Sequence, residues 1–73
     1  MDMEIKVELI GEEIVVTKPG TTFLLGYRKS VEEPHLVLRR SRIPPTTASI
    51  RSAFRAHAFQ AAVIKARELG WIV

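Results

Sequence analysis

This 73-residue chain encodes an α+β fold, an antiparallel sheet of three to four strands with one long C-terminal helix in the order β-β-β-β-α, and three patterns predict it. Apolar residues occupy every second position near the N-terminus. Gly11, Pro19-Gly20 and Pro34 then cut the chain into short segments, and the stretch from Thr46 to Leu69 contains neither Gly nor Pro. Alternation is the period of a strand, and an uninterrupted alanine-rich stretch of that length suits a helix. One core is all that so short a chain can build, so residues 1–73 form a single domain: sheet about 3–40, linker 41–46, helix about 47–69 and tail 70–73.

The first strand runs from Met3 to Leu9, with Met3, Ile5, Val7 and Leu9 on one face and Glu4, Lys6 and Glu8 on the other. Gly11-Glu12 suits a two-residue turn, and the β-branched run Ile14-Val15-Val16-Thr17 completes a hairpin. Pro19-Gly20 meets the demands of a type II turn, proline presetting the second position and glycine accepting the positive φ of the third. Thr21 to Arg28 is the third strand, with Phe23, Leu25 and Tyr27 opposite Leu24, Gly26 and Arg28. After a polar connection from Lys29 to Pro34, His35 to Arg40 returns as the fourth, Leu36 and Leu38 inward, Val37 and Arg39 outward. Val15, Leu24 and Val37 then make a small apolar strip on the outer face, exposed or covered by a second subunit.

Pro44-Pro45 stops the ladder, and Thr46 or Thr47 caps the helix. Gly70 suits a left-handed C-cap with Trp71 or Ile72 folding back on the last turn. At 100° per residue Ile50, Ala53, Phe54, His57, Ala61 and Ile64 lie on one side, and Phe59, Ala62, Val63 and Ala66 on another. One side covers the sheet. The other calls for a partner, and the pattern leaves open which side does which.

A single core of this size supplies only about 3–5 kcal/mol, usually reinforced by disulfides, a metal or oligomerisation. Cysteine is absent and the two histidines stand alone, which excludes a disulfide and a Cys/His zinc site and leaves oligomerisation. The start Met1-Asp2-Met3-Glu4 is acidic, unlike a cationic leader, and no apolar run approaches the roughly 20 residues that span a bilayer. A cytoplasmic protein that does not enter the membrane is expected.

Net charge is +3 and unevenly spread. Residues 1–16 carry Asp2, Glu4, Glu8, Glu12 and Glu13 against Lys6, a net of −4. Residues 28–55 carry Arg28, Lys29, Arg39, Arg40, Arg42, Arg51 and Arg55 against Glu32 and Glu33, a net of +5. Such polarity marks either a polyanion-binding face or two halves of a self-complementary surface.

The segments Tyr27-Arg28-Lys29, His35-Leu36-Val37-Leu38, Ala58-Phe59-Gln60-Ala61-Ala62 and Lys65-Ala66-Arg67-Glu68-Leu69-Gly70-Trp71 resemble a group of small uncharacterised bacterial proteins. The resemblance spans most of the chain and implies no activity. In architecture alone, a three- or four-stranded antiparallel sheet followed by one helix also looks like the arm-binding domains of phage-type integrases, a likeness that does not fix function.

The basic cluster is the candidate nucleic-acid site. Arg28 and Arg39 are expected outward on adjacent strands, Lys29, Arg40 and Arg42 at the edge and linker, and Arg51 and Arg55 one helical turn apart. The competing expectation is a solvated, partly ion-paired surface. The outward face lacks the aromatic platform of single-strand binders, and no zinc-finger or helix-turn-helix spacing occurs. His57 suits a core or interface position, and the pairs Glu12-Glu13 and Glu32-Glu33 suit solvated turn acids. Ser30, Ser41, Ser49 and Ser52 lack the surroundings of a nucleophile, and the scattered glycines form no phosphate loop. No catalytic residue, metal site or cofactor is expected, hence no enzyme. Trp71 docks on the sheet or a partner helix, or belongs to a terminal segment recognised by another protein.

The expected function is that of a small interaction module forming a homodimer through Phe59, Ala62, Val63, Ala66 and Trp71. The alternatives are nucleic-acid binding by the basic face with the helix N-terminus, and an accessory or antitoxin-like subunit that uses the same helix against another protein.

Overall fold

In the computed structural model, residues 4–32 and 35–72 are described. The expectations placed on Met3, Glu33, Pro34 and Val73 lie outside the described residues. The elements are β1 (Lys6–Ile10), β2 (Glu13–Thr17), β3 (Leu24–Lys29), β4 (Leu36–Arg42) and α1 (Ala48–Glu68). The strands form one antiparallel sheet in the order β1-β2-β3-β4, so every neighbour in sequence is a neighbour in space.

Each turn follows from its residues. Ile10 opposes Glu13, so Gly11-Glu12 is the two-residue loop. At Pro19-Gly20 the Thr21 amide donates to the Lys18 carbonyl (3.2 Å), and Gly20 has φ of 81°, as a type II turn requires. Thr21 Oγ1 also donates to Lys18 O (2.7 Å) and accepts from the Phe23 amide (3.2 Å), leading the chain into β3.

β4 extends two residues beyond the expected end at Arg40, pairing Ser41 with Leu25 and Arg42 with Leu24 before Pro44 removes the next donor. It also carries a bulge. Tyr27 opposes Leu38 and Gly26 opposes Arg40, leaving Arg39 without a cross-strand partner.

Thr47 caps the helix, its Oγ1 accepting from the Ile50 amide at 3.2 Å. At the other end Gly70 (φ 76°) donates to Arg67 O at 3.1 Å and the Trp71 amide to Ala66 O at 2.8 Å, the paired bonds of a Schellman motif. The helix lies chiefly over β2, with β1 and β3 to either side. It meets the sheet through Phe54, Ala58, Ala62 and Ala66, a stripe at every fourth residue with no exposed surface. Opposite stand Ile14, Val16, Phe23, Leu25 and Tyr27, with Phe23 and Phe54 edge to face at 5.1 Å. The seam runs between the two apolar sides expected from the sequence, because three alanines bring the helix backbone close to β2.

Candidate functional site

The sheet face turned away from the helix holds most of the charged residues of the strands. Register places three rungs on it across the four strands: Ile10, Glu13, Arg28, Val37; then Glu8, Val15, Gly26, Arg40; then Lys6, Thr17, Leu24, Arg42. Acids therefore lie toward β1 and β2, and arginines on β3 and β4. The bulge corrects the expected arrangement of β4: Arg40 and Arg42 join the outward rungs, while Arg39 is the unpaired residue between Leu38 and Arg40.

Glu13 is the second correction. It is not a solvated turn acid: with 5% of its surface exposed, it is buried on a face that carries no helix. Arg40 covers it, donating from Nε to Oε2 at 2.7 Å with Nη2 at 2.5 Å, and Arg28 Nε stands 3.6 Å from Oε1. The carboxylate lies over Gly26, where a Cβ would come within 2.9 Å of Glu13 Cδ. A glycine in mid-strand is thus the seat of a carboxylate, and the carboxylate fixes two guanidinium forks in position. Lys6 and Glu8 pair at 2.8 Å on the same face, and that hydrogen bond holds the Lys6 ammonium above its usual pKa.

A cleft of about 650 Å³ opens at the end of the sheet where β3 turns into β4. Arg28, Lys29 and Arg39 line it with Glu12, Val37 and Trp71. Trp71, bound through its amide to Ala66 and packed against the core, is fixed by the helix cap. Along the sequence these are separate features, a basic cluster and an apolar tail. The meander and the long returning helix put them in one place.

The remaining cations lie elsewhere. Arg51 and Arg55 belong to the helix side of the sheet, where Arg55 faces Tyr27. Burial raises the Tyr27 hydroxyl above its ordinary pKa of 10.0, and the Arg55 charge opposes that rise. The seven bases expected as one cluster are thus divided between two faces.

Two of the expected interface residues are also corrected. Ala62 and Ala66 have no exposed surface because the chain's own sheet covers them. Val63 and Trp71 are partly buried, while Phe59 is half-exposed and meets Tyr27 edge to face at 6.1 Å. Across the ladder from Tyr27, Leu38 is half-exposed too. Together they make an apolar shelf beside β4, which a helix centred on β2 does not reach.

Among the described residues no helix is long and apolar enough to cross a membrane, and no three His, Cys, Asp or Glu side chains gather to hold a metal ion. Comparison with protein-family models, with curated proteins and with solved structures finds no match.

Proposed function

We propose that this chain is a non-enzymatic interaction module that pairs with a second copy of itself across the shelf between helix and β4. The observation that carries the proposal is the exposure of Phe59 (51%) and Leu38 (50%), both bordering buried Tyr27. Apolar side chains flanking a buried aromatic are what a partner's surface would complete. The chain's 5132 Å² of accessible surface supports the same reading, since a folded monomer of 8.2 kDa exposes about 4,500 Å². A stable dimer takes about 800 Å² from each partner, roughly a sixth of this surface.

The test is the mass of the chain in solution and its change in the double variant Phe59→Lys with Val63→Lys. A dimer that becomes a folded monomer supports the shelf as interface. An unfolded variant would make these residues core, and a wild-type monomer at high concentration, or an undisturbed dimer in the variant, would reject it.

A further inference from the structure

We infer that the cleft between the β3–β4 turn and the helix C-terminus binds a nucleoside phosphate, free or within a single strand, with its phosphate on Arg28, Lys29 and Arg39 and its base on Trp71. Three observations carry this independently of self-association. Among the described residues the lining sets three cations against one carboxylate, Glu12, so an anion is the charge that fits. Arg28 is tethered by an ion pair, its Nε 3.6 Å from Glu13 Oε1, while half of its side chain stays exposed to solvent. Trp71 lines the cleft with these cations, its backbone anchored by the amide bond to Ala66 and its partly buried side chain packed against the core, which puts an aromatic residue beside the phosphate site. A volume of about 650 Å³ lies within the usual range for small-molecule clefts.

The bulge has a function in this account. By taking Arg39 out of the ladder it adds a third cation to the cleft, while Arg40 turns to Glu13 and serves as a positioning residue. A regular strand would not supply both.

Trp71 is the single tryptophan, so its fluorescence reports the cleft directly. The full chain is titrated at low salt with adenosine monophosphate, with a short labelled oligodeoxynucleotide and with inorganic phosphate. Quenching by either nucleotide-bearing probe is expected, the oligonucleotide losing affinity as salt rises with a log–log slope of about −0.7 for each phosphate neutralised. The variant Lys29→Glu with Arg39→Glu should weaken binding at least tenfold, whereas Lys18→Glu, at the turn between β2 and β3, controls for overall charge. Trp71→Ala, followed by anisotropy of the labelled strand, should weaken binding by a similar factor if the base stacks there. Tighter binding of the strand than of the mononucleotide identifies a strand as the ligand, and the reverse a free nucleotide. Absence of quenching and of an anisotropy change, binding indifferent to Lys29→Glu with Arg39→Glu, or inorganic phosphate competing as well as the nucleotide would overturn the assignment.

Discussion

The two faces of the sheet bury the same strand by different means. On the helix side Ile14 and Val16 disappear under Phe54 and the alanine stripe, a contact between apolar surfaces. On the other side Val15 and Glu13 are each 5% exposed with no layer above them. There the cover comes from neighbouring side chains, chiefly arginines that keep half their own surface in water while their stems and forks lie over β2. One face is closed by packing over β2 and leaves apolar surface open at the shelf beside β4. The other is closed by charged groups that remain partly exposed and face solvent.

Breaking the first face should have the larger effect. Phe54→Ala removes the largest side chain with no exposed surface and should cost about 3–5 kcal/mol, enough to unfold a domain of this size; urea or thermal unfolding by circular dichroism reads it. If the loss stays under about 1 kcal/mol, the helix seam is not the main source of stability.

Breaking the open face should cost less and couple two distant positions. Glu13→Gln weakens the charge-assisted hydrogen bonding from Arg40 and the ion pair with Arg28 for about 1.5 kcal/mol, near the lower end for charged hydrogen bonds because both arginines are half-solvated. Gly26→Ala forces the carboxylate off its seat at a similar cost. Because both act on one arrangement, the double variant should be at least about 0.5 kcal/mol less destabilised than the singles summed; strict additivity would mean that Gly26 and Glu13 are not linked.

The smallest effect is expected from pH on the packed face. Burial raises the Tyr27 hydroxyl in the fold above its unfolded value of 10.0, so the fold retains the proton longer than the unfolded chain does. The resulting contribution to stability is complete below pH 10 and falls as pH rises through the folded pKa. Tyr27 is the only tyrosine, so phenolate absorbance gives its titration cleanly, and Tyr27→Phe should flatten the alkaline loss of stability. A titration at the free-tyrosine value would place the hydroxyl in water.

These faces differed in legibility. Inward alternation at Ile14, Val16, Leu25 and Tyr27 was readable because apolar burial leaves a period in the sequence. Glu13 was not, since an acid next to a turn reads as solvated unless its partners are known, and Arg40 lies 27 residues away. The signal lay in Gly26, a glycine in mid-strand whose outward position invites a neighbour over it. The bulge at Arg39 left no local mark, and without it the outward set on β4 shifts by one residue.

By itself the sequence determined the α+β class, the element order, both turns that flank β2 and both helix caps, because each rests on local sterics and hydrogen bonds within a few residues. Tertiary structure alone decided that the helix seats through Phe54, Ala58, Ala62 and Ala66, that Glu13 sinks between two arginines, and that Trp71 stands beside Arg28, Lys29 and Arg39. Those outcomes depend on how closely two layers approach and on which residues the strand register brings together. Neither quantity is carried by any short stretch of the chain.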